Sequence, residues 1–219
     1  MRVNARDFFS RAERERIRRS VQTAEKTTSG EIAVILVDAS DRYREAEFIG
    51  AVGLAGFVAL ILSIAFHHLT IWFYVPVTFV FFFPFWYLVW KVPQLKLPFV
   101  SRRRAAEAVR ERAVFSFYRK SLHKTRHETG ILIFISLLER KVVILGDRGI
   151  NEKIEQGFWR RLAGRLSSGI REGKALEGLT EVIAECGEEL QKHFPVAPDD
   201  KNELADDIIC EDGTCTPKS

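Results

Sequence analysis

FIGAVGLAGFVALILSIAFHHLTIWFYVPVTFVFFFPFWYLVW, residues Phe48 to Trp90, divides into two apolar runs separated by little more than His67 and His68. Neither run contains Lys, Arg, Asp or Glu. Phe48 to Phe66 and Leu69 to Trp90 each extend about 19 to 22 residues, the length an α-helix needs to cross a bilayer's hydrocarbon core. A buried helix of a globular domain shows a polar face to water, and these runs have none. The stretch therefore predicts a transmembrane hairpin. Gly50, Gly53 and Gly56 fall about one turn apart and predict a small-residue stripe along which the second helix approaches. Trp72, Tyr74, Trp86, Tyr87 and Trp90 stand towards the ends of the second run, where amphipathic rings meet the headgroups.

Outward from the hairpin, charge sets the expected orientation. Arg2, Arg6, Arg11, Arg14, Arg16, Arg18, Arg19, Lys26, Arg42 and Arg44 precede it, Lys91, Lys96, Arg102, Arg103 and Arg104 follow it, and the connection between the runs has no Lys or Arg. The positive-inside rule then places both termini in the cytoplasm of an inner (plasma) membrane protein. Met1 to Glu47 is charged throughout, so no signal peptide is expected there. The net charge of +4 conceals a polarity: Pro195 to Ser219 holds two lysines against seven carboxylates, net −5, which leaves +9 for the rest. A basic body beside a bilayer points to anionic headgroups as a partner. Nucleic acid is not expected, because no recognition motif accompanies the charge. Cys186, Cys210 and Cys215 suit a reducing compartment rather than a disulfide framework. The pair in the tail lacks the spacing of a metal clip.

The flanks carry the folded domain. Ser10 with Glu13 is a capping-box pattern, and Ile17, Val21 and Ala24 recur on one face, predicting a helix over about Arg11 to Lys26. Ile32 to Val37 reads as a strand covered on both faces. After a short extended linker bracketed by Pro93 and Pro98, a helix is expected from Ser101 to near Thr129, striped by Val109, Ala113 and Phe117. Ile131 to Leu138 and Lys141 to Leu145 read as a β-hairpin around Glu139 and Arg140. Strand, long helical connection and strand is the βαβ arrangement, so strands one and two should be parallel and strand three antiparallel to the second. Two amphipathic helices follow, one through Trp159, Leu162, Ala163, Leu166 and Ile170, the other through Leu176, Leu179, Ile183, Cys186 and Leu190 to about His193. The expected fold is α/β, a small α/β/α sandwich with a mixed sheet, split by the two-helix hairpin. Its parts are residues 1–47, 48–90 (the hairpin), 91–194, and an acidic tail at 195–219 expected to lack fixed structure.

Three motifs carry a resemblance: Ser29-Gly30-Glu31-Ile32-Ala33-Val34, Thr125-Arg126-His127-Glu128-Thr129-Gly130 running into Ile131 to Ser136, and Glu139-Arg140-Lys141-Val142 continuing to Gly146-Asp147-Arg148-Gly149-Ile150. Their order and spacing resemble the TPM-domain family of the thylakoid-lumen acid phosphatase type, with the hairpin as an insertion in the domain. The resemblance implies a small α/β sandwich and, for some members, divalent-metal-assisted phosphatase activity. This chain departs from the pattern at Asn151, where the family commonly has Asp. An amide ligates through its carbonyl but brings no charge to a hard cation.

The expected topology brings the starts of strands one and two and the end of strand three to one edge, near Glu31, Glu128, Asp147, Asn151 and Glu152. Glu31, Asp147 and Asn151 are the candidate ligands of Ca²⁺ or Mg²⁺, and Asp147 and Glu152 the candidate catalytic carboxylates. The competing reading makes them ordinary charges at caps and turns. His123 and His127, four apart, lack a third ligand. Ser167-Ser168-Gly169 is no nucleophile elbow, and no phosphate-binding glycine loop is present. The expected role is a membrane-tethered, non-enzymatic module that docks an unidentified protein partner or helps a membrane complex assemble. The alternative is a divalent-metal-dependent phosphatase acting on phosphate esters.

Overall fold

The computed structural model describes residues 4–67, 70–122, 125, 128–196, 207–210 and 213–214. Its chain forms two compact units, one built from Val3–Ser40 with Ala106–Ser219, the other containing Asp41–Ala105.

The first unit is organised by a mixed sheet of β1 (Glu31–Val37), β2 (Gly130–Ser136), β3 (Lys141–Gly146), β4 (Ile209–Cys210) and β5 (Gly213–Thr214), in the order β3-β2-β1-β4-β5. β1 and β2 are parallel, Glu31 opposite Gly130 and Val37 opposite Ser136, and β3 returns antiparallel to β2. All seven residues of β1 and of β2 are buried. Alternation along the strands separates two apolar layers, as helices on both faces require. Ile32, Val34, Leu36, Ile131, Ile133 and Ile135 pack with α2 (Arg11–Glu25), α7 (Gln156–Arg171) and α8 (Ala175–His193). Ala33, Ile35, Val37, Leu132 and Phe134 pack against Val109, Ala113 and Phe117 of α5 (Arg102–Arg119). The α/β/α sandwich is thus as the patterning predicts. Short helices α1 (Ala5–Phe8) and α6 (Arg148–Lys153) complete the unit.

Local chemistry fixes several boundaries. The capping box is formed: Ser10 Oγ accepts from the Glu13 main chain at 3.3 Å, and the Glu13 carboxylate accepts from the Ser10 main chain at 2.7 Å. α5 ends at Arg119, ten residues before the expected Thr129 stop, and Ser121 takes a left-handed φ of 57°. The chain then packs tightly on the start of β2. A Cβ at Gly130 would stand 2.5 Å from the Leu122 carbonyl oxygen, so no other residue fits there unchanged.

The tail departs from expectation. Ile209–Cys210 pairs in parallel with Ile35 and Leu36 of β1, and Ile208 and Cys210 are buried. Without this pairing β1 would be an open edge, and its unpaired main chain is what orders these residues against the acidity around them. Cys210 is disulfide-bonded, with a partner outside the described residues, which corrects the expectation of a chain without disulfides. β5 pairs antiparallel with β4, Gly213 opposite Cys210.

In the second unit α3 (Arg44–Ala65) and α4 (Ile71–Lys91) pack along each other. Both are long and apolar enough to cross a membrane. The buried positions of α3 include Ala51, Ala55, Ala59 and Ser63, four residues apart, together with Ala46 and Gly50. Of the expected glycine stripe, Gly50 is buried and Gly56 lies so close to α4 that a Cβ there would stand 2.9 Å from the Tyr74 hydroxyl, whereas Gly53 is exposed. Pro76 and Pro84 lie within α4. The expected extended linker is instead a 3₁₀ helix, Pro93–Phe99, entered through a proline whose φ is pre-set for a helical start. It carries Lys96 inward to an ion pair with Glu47, their side chains 9% and 13% exposed, and Lys96 Nζ also donates to the Arg42 carbonyl at 3.3 Å.

Candidate functional site

The sheet brings the starts of β1 and β2 and the end of β3 to one edge. Glu31 opens β1, and its main chain donates to the Thr129 carbonyl at 3.2 Å. Its side chain is buried. On the far side of β2, the Asp147 main chain donates to the Gly130 carbonyl at 2.8 Å. Glu31 and Asp147 therefore flank Gly130 from strands separated by two interstrand spacings, about 10 Å.

Each neighbouring polar group has a structural task. Asp147 is the N-cap of α6, its Oδ1 accepting from the Arg148 main chain at 2.8 Å, where a carboxylate also meets the positive end of the helical turn. Asn151 Nδ2 donates to the Gly146 carbonyl at 2.6 Å and so ties the turn after β3. Glu152 forms an ion pair with Arg148 at 3.0 Å. Arg148 is held above its ordinary pKa first by that hydrogen bond, then by the charges of Glu152 and Glu128. The protein thus supplies its own cation among the carboxylates. Asp147 Oδ2 is buried and has no hydrogen-bond partner among the described residues. Among those residues no group of three or more His, Cys, Asp or Glu side chains is placed to hold a metal ion. His123 and His127 lie outside the described residues.

Sequence reasoning missed a second polar cluster, at the opposite ends of β1 and β2. Ser136, fully buried, donates to Glu139 Oε2 at 2.5 Å and accepts from Ser40 Oγ at 2.8 Å, while the Ser40 main chain donates to Glu139 Oε1 at 3.0 Å. Asp38 accepts from the Ala5 main chain at 2.5 Å. Ser136 closing an otherwise apolar strand was the available signal. The network ties the turn after β2 to the chain leaving β1.

Fold and site define the class: a three-layer α/β/α domain with a mixed sheet, its chain interrupted by two long apolar helices. Residues 99–189 match the model of the TPM domain family. In fold it is similar to the NMR structure of the BA42 protein from the psychrophilic bacterium Bizionia argentinensis, with a TM-score of 0.59 over 93% of this chain and 96% of that chain. The two are 22% identical, so the likeness is one of fold. No curated protein matches the chain. The matched residues begin after α4, and β1 joins them through its register with β2.

Proposed function

We propose that this chain is a membrane-tethered docking module and that its strand-end carboxylates are structural. The observation that carries the reading is Arg148, whose guanidinium pairs with Glu152 and lies within the field of Glu128, at the edge where catalysis needs an added cation. Asp147 and Asn151 are engaged in the cap and turn beside it. Purified full-length chain in detergent micelles, assayed with p-nitrophenyl phosphate and Ca²⁺ or Mg²⁺, should give no hydrolysis above buffer. Hydrolysis that disappears with Asp147→Ala overturns the reading.

The second reading, a divalent-metal-dependent phosphatase, is favoured by Asp147 Oδ2, a buried carboxylate oxygen without a partner among the described residues. Glu31, Asp147 and Asn151 would supply the oxygens, and the ion would polarise a phosphate ester or lower the pKa of a water molecule. Calorimetric titration of Ca²⁺ and Mg²⁺ separates the readings. Under this one Asn151→Asp binds the ion more tightly, since affinity rises with ligand charge.

For orientation we infer a multi-pass inner-membrane protein with both termini in the cytoplasm. Fifteen Lys and Arg residues flank the apolar segment and none lies at its tip. The Cys210 disulfide points towards an oxidising compartment instead. The charge asymmetry is the stronger argument, because cytosolic disulfides do occur as exchangeable, redox-sensing pairs. A reporter fused after Ser219 should behave as cytoplasmic, and periplasmic activity reverses the assignment.

A further inference from the structure

The geometry points to the outer edge of β3 as a groove that takes an extended acidic peptide segment of a partner protein as an added strand. The inference rests on the docking reading above and gives it a surface and a partner chemistry. β3 is the last strand on its side of the sheet. The Asp147 main chain faces β2, donating to Gly130, so by the two-residue period of a strand the N–H and C=O groups of Val142, Ile144 and Gly146 face away from it. The Val142 N–H is met by Ser167 Oγ at 3.0 Å, and the Gly146 carbonyl by Asn151 at 2.6 Å. Between these two closures, no side chain among the described residues bonds the outward donor and acceptor of Ile144, the pair an incoming strand would use.

A cavity of about 540 Å³ runs along this edge, between α5 on one side and α7 on the other. Arg110, Lys141, Arg160 and Arg171 line it, and no Asp or Glu does. None of the four makes an ion pair or side-chain hydrogen bond among the described residues. Arg160, Gly164, Ser167 and Arg171 follow at four, three and four residues along α7, so they share one face of it. At Gly164 a Cβ would meet nothing within 4 Å, which leaves the wall of the groove open. Unpaired cations deter pairing with a second, equally basic β3 edge and favour an acidic strand.

The test uses the full chain in detergent micelles and a fluorescein-labelled peptide of alternating Glu and Val, followed by anisotropy. Saturable binding is expected, weakening with salt and falling about tenfold on Arg160→Glu. Gly164→Leu should abolish it by filling the groove, and Leu is the better helix former, so circular dichroism should show the fold retained. N-methylation of alternate peptide nitrogens should also remove binding. The inference is overturned by no binding, by equal binding of a Lys-Val or N-methylated peptide, by tighter binding of an oligothymidylate, or by an unaffected Gly164→Leu. Crosslinking in native membranes separates the two ideas. Adducts lost with Gly164→Leu support the groove, whereas adducts that persist overturn it and leave the docking reading standing.

Discussion

β1 with β2, and α3 with α4, are the two most apolar regions of the molecule, and they have opposite fates. Every residue of the two strands is buried by helices on either side. Along α3 and α4, by contrast, Phe57, Ile64, Trp72, Phe79 and Val80 stand more than half exposed, Trp72 at 87%. An apolar strand of seven residues completes its burial inside a small domain. A pair of apolar helices buries only the seam between them, and the remaining surface calls for a non-aqueous surrounding. The comparison separates a region whose hydrophobicity serves a core from one whose hydrophobicity serves a solvent.

Truncation should break this symmetry most visibly. Phe134 is fully buried, and Phe134→Ala should cost about 3 to 5 kcal/mol in chemical unfolding of the α/β unit. Phe79, 65% exposed on α4, should leave the same transition unmoved when changed to Ala. Equal losses at the two sites would remove the distinction.

A smaller effect tests the polar exception within the apolar unit. Lys96→Met leaves Glu47 enclosed without its cation, and the hairpin unit should lose about 3 kcal/mol, measured by unfolding in mixed micelles. Changing Glu47 to Leu in the same chain should recover most of the loss, since an apolar pair replaces a buried ion pair at little cost.

Ser10→Ala should cost the α/β unit about 1 kcal/mol by removing one half of the capping box. The Ser10 main-chain N–H holds the Glu13 carboxyl below its ordinary pKa. The folded value is depressed, so this contribution is present above the unfolded pKa and is lost as pH falls through the folded one. An acid titration of wild type against Glu13→Gln, which removes the titrating carboxylate, should therefore show the two converging at low pH.

The smallest effect concerns Cys186. Burial raises its thiol pKa, and the side chain is fully enclosed. A thiol reagent should not label it in the native chain and should do so after denaturation. A raised folded pKa means that stability falls once pH exceeds the unfolded thiol value of about 8.5, and a Cys186→Ala variant should lack that decline.

The sequence was a good guide where a local rule acts alone. Ser10 and Glu13 announce the α2 cap, and Ile17, Val21 and Ala24 its buried face. Leu162 and Leu166 mark α7, and Leu176 to Leu190 mark α8. On α3 the glycine stripe was legible in part: Gly50 is buried and Gly56 stands against Tyr74 of α4, whereas Gly53 is exposed and the longer buried row runs through Ala51, Ala55, Ala59 and Ser63. Which stripe faces a partner depends on the partner. The candidate carboxylates were placed on the right edge, since strand order follows from the βαβ rule. That Arg148 stands beside them was hidden, because its pairing with Glu152 depends on a one-turn helix that the turn-rich motif does not announce.

The sequence by itself determined the uncharged hairpin, the two largely apolar strands and their parallel pairing, and the caps and stripes of the main helices. These are set by length, periodicity and chain reversal, which act between near neighbours or through general rules of connection. Only the tertiary structure decided that Ile209–Cys210 lies beside β1, that Ser167 closes one end of the β3 edge, and that Arg110, Lys141, Arg160 and Arg171 gather along it. Each joins residues far apart in the chain. Their meeting depends on the order of strands and the rotation of helices about their axes, which packing of the whole domain fixes.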